Sequence, residues 1–192
     1  TKKKEKPTEK LTEYIIEVIA KDFTFTVDSV IPSGWSTFKM KNTGIMEHFF
    51  FMTKLPDSIT FDDYVSGVGA AFGKSWNAYK NGEVDKTGAY GILGANLPAW
   101  YANAKAMGGI GMVSGGQTGV TTMWLDSGNY VMECYIKAAN GQFHSELGMI
   151  NPIRVSNVAT QMSPPEANVE VILTNESIEV KGDIVAGENV IA

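Results

Sequence analysis

Between residues 14 and 52, apolar and polar side chains alternate with period two in short runs, and turn residues separate the runs. Phe23-Thr-Phe-Thr-Val27 and Trp35-Ser-Thr-Phe-Lys-Met-Lys41 show the pattern most plainly. Period two puts alternate side chains on opposite faces of a strand, so each run reads as a half-buried β-strand. Tyr14–Ala20 and Glu47–Met52 read as further strands, with turns at Ile31–Gly34 and Asn42–Gly44. Phe49-Phe-Phe-Met52 is apolar at every position, so both of its faces should be covered. Strands resume at Val120–Leu125, Asn129–Ile136 and Met149–Val158. Short strands joined by tight turns predict a mainly β fold, a sandwich or barrel.

The stretch from about 55 to 117 breaks the alternation and reads as a helical insertion. Thr60 is suited to cap a helix, with Asp62 and Asp63 in its first turn, where the helix dipole favours negative charge. That helix should run to about Tyr79 and stop at Asn81-Gly82. Residues 83–96 read as loop. A second short helix should open at Leu97-Pro98 and end at Gly108-Gly109, before a glycine-rich stretch to residue 119. An excursion of this length between strands is usually a functional element.

Composition narrows the function. The chain of 192 residues carries a net charge of −5, against the basic footprint of a nucleic-acid binder. One cysteine rules out an intrachain disulfide, and two histidines rule out a three-histidine metal site within this chain. Residues 1–13 begin with five lysines and a proline and read as a solvated tether. Residues 14–160 form the main domain, and 161–168 read as a linker. Setting Ile16 on Val169 without gaps also matches Val18 with Val171, Phe25 with Ile178, Ile31 with Ile184, Gly34 with Gly187 and Phe38 with Ile191. Residues 169–192 therefore read as the start of a second copy of the domain, truncated in mid-strand.

The rare residues fall at telling places. His48 follows the Asn42-Thr-Gly44 turn on an apolar strand. Cys134 ends a strand, His144 follows after nine residues, and Met149 after four more. One thiolate, two imidazoles and a thioether are the donor types of a trigonal copper site with a long axial methionine. Soft sulfur favours the reduced ion, and imidazole serves both oxidation states.

At these residues the chain resembles the cupredoxin family. The likeness spans about residues 14–158. It rests on Leu125-Asp-Ser-Gly-Asn-Tyr-Val-Met-Glu-Cys134, of the form L-x-x-G-x-Y-x-x-x-C, and on the His-x-x-x-Gly-Met run from His144 to Met149. The spacing from cysteine to histidine is unlike plastocyanin and nearer the copper nitrite reductases. It is most similar to bacterial exported cupredoxin-like proteins. The resemblance implies a Greek-key β-sandwich holding one copper ion. His48, Cys134, His144 and Met149 would be its ligands. Two departures stand out: Phe49 occupies the place of a small polar residue that braces the cysteine loop, and residues 137–143 lack a proline before the ligand histidine.

The resemblance implies a non-enzymatic one-electron carrier with a transient protein redox partner. His144 would lie near the surface to pass the electron, and the protein would sit outside the cytoplasm. The lysine-rich start would suit a membrane tether through an N-terminal lipid anchor. A copper storage or delivery protein would use the same ligands, and a metal-free interaction module would use the same fold.

Overall fold

The computed structural model describes residues 13–186 and 191. The tether expected over residues 1–12 lies outside them, as does the matched Gly187. The chain divides into two units, Thr1–Met162 and Ser163–Ala192.

The first unit is a β-sandwich. Strands β1 (Ile15–Lys21), β2 (Thr24–Thr26), β3 (Val30–Asn42) and β4 (His48–Lys54) open it. After the helical insertion come β5 (Lys105–Val113), β6 (Thr118–Leu125), β7 (Gly128–Glu133) and β8 (Ile150–Ala159). One layer runs β2-β1-β3-β6; the other runs β3-β8-β7-β4-β5. β3 belongs to both layers. Its first residues pair with β8, a register shift follows between Ile31 and Ser33, and the rest pairs with β1 and β6. The turn expected at Ile31–Gly34 is this bulge, inside a strand that continues through it.

The alternation in the sequence is the burial pattern of the strands. Ile16, Val18, Ala20, Phe38 and Met40 point inward from one layer, and Phe50, Met52, Met132, Ile153 and Val155 from the other. Each of these side chains larger than alanine, fully withdrawn from water, contributes about 1.5–3 kcal/mol. The run 49–52 is fully covered only on its inner face; Phe49 and Phe51 are half-buried and meet the Tyr135 ring. Phe50 and Met52 enter the sandwich core, while on the outer face of the same layer Leu55 and Val131 pack with Tyr64 and Val68 of the insertion.

The insertion itself differs from the reading above in three places. Thr60 caps the helix reciprocally with Asp63, as expected. The helix is α over Phe61–Asp63 (α1), π over Tyr64–Gly69, and α again over Ala70–Lys80 (α2). Residues 83–96 are not loop: Lys86–Asn96 is helix α3, capped by the Asp85 carboxylate accepting from the Gly88 N–H. Gly88, Gly91 and Gly94 weaken its helical signature. The helix expected from Leu97 is only a 3-10 turn at Ala99–Asn103. The insertion ends there, because the glycine-rich Lys105–Val113 is strand β5, paired to β4. Gly109 is needed at that edge: a Cβ would stand 2.0 Å from the Phe50 carbonyl oxygen.

Candidate metal centre

Strand pairing gathers the expected residues at one end of the sandwich. β4 begins at His48 and runs antiparallel to β7, pairing Phe51 with Glu133. Cys134 follows the end of β7, and Met149 immediately precedes β8, whose Ile150 pairs with Glu133. The start of one strand, the end of its neighbour and the start of the next therefore meet.

The ligand loop is tied together by its own backbone. The Cys134 N–H donates to the Met149 carbonyl at 3.0 Å, and the Met149 N–H to the His144 carbonyl at 2.9 Å. The His144 N–H donates to the Ile136 carbonyl at 2.7 Å. Residues 137–143 form a miniature hairpin, with Lys137 bridged to Phe143 and Gly141 at φ +81° in its turn. The helical insertion contacts this loop, which has no proline. The Trp76 indole N–H donates to the Gly141 carbonyl at 2.5 Å, and the Lys137 ammonium sits 3.5 Å above the Trp76 ring.

His48, Cys134 and His144 each aim one donor atom at a common point, and those atoms all lie within 4.8 Å of one another. The Cys134 Sγ and His144 Nδ1 are 3.6 Å apart. The three side chains are buried, at 0%, 0% and 1% exposure. Met149 is equally buried and held by its backbone bonds to the same loop. His144 is 1% exposed and lies directly beneath the half-buried Phe23. Phe23 covers it edge-on, with ring centroids 5.1 Å apart.

One observation points to a missing partner. Both ring nitrogens of His48 are buried and neither has a hydrogen-bond partner. An imidazole in that state loses its hydration without return, whereas a metal ion bound by one nitrogen would restore the balance. The donor set suits copper: a soft sulfur and two imidazoles, all buried and close to one another.

Electrostatics prepare the donors. Burial pushes the His48 imidazole below its usual range, and the neighbouring His144 pushes it further, against a weaker opposing pull from Asp22. Burial lowers His144 likewise. Both rings are therefore held neutral, the form that binds metal. Burial pushes the Cys134 thiol up. Backbone N–H groups of Phe49 and Ile136 donate to its sulfur and partly offset this, while Glu133 adds to the rise.

Two supports escaped the sequence reading. Asn42 is fully buried and sews the His48 approach in place. Its amide donates to the carbonyls of Met46 at 2.7 Å and Val113 at 2.8 Å, and its oxygen accepts from the Gly44 N–H at 3.0 Å. Its signal was present as part of a turn, six residues before His48. Trp76 carries no comparable signal. Tyr130 of the cysteine-strand motif is structural: its hydroxyl donates to the Asp126 carbonyl at 2.7 Å and locks the turn before β7.

The first unit is a β-sandwich with a buried His-Cys-His cluster at one end, as the resemblance implies. Among solved structures, the chain is similar to a reduced auracyanin from Roseiflexus castenholzii, at 20% identity and a TM-score of 0.45, over 76% of this chain and 98% of that one. Auracyanin A from Chloroflexus aurantiacus, a "blue" copper protein, matches at 16% identity and 0.44, over 75% and 99%. Reduced rusticyanin matches at 17% and 0.39, over 76% and 82%. No family model matches the chain, and no curated protein matches it.

Proposed function

We propose that the cupredoxin-like domain binds one copper ion through His48, Cys134 and His144, with Met149 as axial ligand, and carries single electrons. The observation that carries this reading is the buried, unpartnered His48 ring set beside a thiol and a second imidazole. When bound, copper supplies a one-electron couple between its two oxidation states.

The residues around the site keep its geometry still. The ligand loop is closed on itself by three backbone hydrogen bonds and clamped to α2 by Trp76. Rigid donors keep reorganisation small when charge moves. Four donors from the chain would leave no open position for a substrate, which favours carriage over catalysis. Their near-complete burial disfavours rapid metal handover, so storage and delivery is the weaker reading. A transient protein redox partner and a place outside the cytoplasm accompany the proposal, on the resemblance of the motifs.

Voltammetry of the copper-loaded protein tests it. A reversible one-electron wave that survives repeated cycling is expected. Copper lost to a chelator within the mixing time would contradict the carrier and favour delivery.

A further inference from the structure

The second unit contains β9 (Glu170–Leu173) and β10 (Ile178–Lys181). They pair antiparallel, with Leu173 against Ile178 and Ile172 against Glu179. In the first unit, β1 and β2 pair Ala20 against Phe25 and Ile19 against Thr26. The gapless alignment that sets Ile16 on Val169 carries these two pairs of the first unit onto the two of the second. It does so again across a different kind of pairing. Ile16 lies beside Phe38 in the parallel β1–β3 pair, and Val169 lies beside Ile191 in a parallel bridge. Any hairpin shares antiparallel pairing with any other. A shared register together with a parallel return of the next strand is not a property of hairpins in general, because register follows the hydrophobic pattern and the turn.

We infer that residues 169–191 are the opening hairpin and third-strand start of a second cupredoxin-like domain, and that the apolar face of this hairpin is an interface for the polypeptide that follows it. Burial supports the second half. Ala20, Phe25, Ile31 and Phe38 are core residues of the first domain, at 0%, 6%, 3% and 0% exposure. Their counterparts Leu173, Ile178, Ile184 and Ile191 are 72%, 72%, 69% and 62% exposed. These four positions are apolar in both units and covered in only one, whereas Val169, like its counterpart Ile16, is buried. Exposed apolar residues that pair across a hairpin, as Leu173 and Ile178 do, mark an interaction surface, and a two-stranded hairpin is at best marginally stable in water. The occupant follows from the register. In the first domain β3 runs beside β1 as far as Ala20 against Asn42, so the strand reached at Ile191 should continue beside β9 in the same way.

Paired substitution of Leu173→Asp and Ile178→Asp tests this in two settings. In the 192-residue chain, the thermal midpoint and the amide protection of β1 and β3 should not change. A lowered midpoint would show that the tail packs on the first domain, and would overturn the inference. A dimer that the substitutions dissociate would make a second copy the occupant, and would overturn it too. In the natural polypeptide as encoded past Ala192, a second cooperative unfolding transition is expected, which the substitutions abolish. Slower amide exchange over 169–181 than in the 192-residue chain should accompany it. A reading frame that ends at Ala192, or a longer chain without a second transition, overturns the inference.

Discussion

Trp76, on the helical insertion, donates its indole N–H to the carbonyl of Gly141, three residues ahead of His144 in the ligand loop. The insertion thereby does for this loop what a stiff local sequence would otherwise do. Its outer-layer packing through Tyr64 and Val68 anchors the helical segment, and Trp76 carries that anchorage to the metal end.

Replacing Trp76 with Phe keeps a ring over Lys137 and removes the hydrogen bond. Stability should fall by about 0.5–1.5 kcal/mol, the net worth of one such bond. The copper-thiolate absorption should shift and copper should leave faster, because the His144 loop gains freedom. An unchanged spectrum and off-rate would show that the loop is fixed without the clamp.

Asn42→Ala would strip the buried Val113 carbonyl and the half-buried Met46 carbonyl of their donor. Leaving buried polar groups unpaired costs roughly 1–3 kcal/mol. Denaturant unfolding of the metal-free chain should show at least that loss. Thr43→Ala, at an exposed neighbouring position, should cost much less.

The two buried imidazoles make the metal-free fold acid-sensitive. Each has a folded-state pKa below its unfolded value near 6.5, for which burial is the main cause. The unfolded chain then binds more protons in that range, so stability is complete above about 6.5 and falls as the pH drops toward the folded values. Unfolding free energy measured from pH 8 to pH 5 should decline below 6.5. His48→Gln should flatten part of that decline. A curve level across the window would contradict neutral burial.

Glu133 has the opposite sign. Burial pushes its carboxyl up, although the Tyr64 hydroxyl donates to it at 2.5 Å and partly offsets the rise. A raised carboxyl favours folding at low pH, and that contribution is lost as the pH rises from the unfolded value toward the folded one. Glu133→Gln should therefore remove a penalty at pH 7 and leave stability equal or higher there. A clear loss at pH 7 would mean that the charged form is favoured in the fold.

The sequence made the sandwich legible wherever one face of a strand meets the core. β1 and the later part of β3 show their burial as alternation, whereas in β7 Val131 is buried between Tyr130 and Met132 and packs outward against the insertion. β5 was hidden because Gly108, Gly109 and Gly111 erase the pattern, and Gly109 is glycine because the Phe50 carbonyl passes so close. Helix α3 was hidden by its own glycines. The candidate donors were legible because few residue types can do that chemistry and the chain has few of them. Their supports were not. The N–H groups of Phe49 and Ile136 that face the thiol are backbone, which any residue supplies, and the Trp76 contact joins segments far apart in the chain. The buried position of His144 depends on Phe23, which reads in the sequence only as a strand residue.

The central claim is that Cys134 and the two histidines hold copper. Titrating metal-free protein with Cu(II) while recording the visible spectrum tests it most directly, with Cys134→Ser measured alongside. One equivalent should produce an intense thiolate-to-copper band in the natural chain and none in the variant. No band in the natural chain, or the same band without the thiolate, would contradict the account.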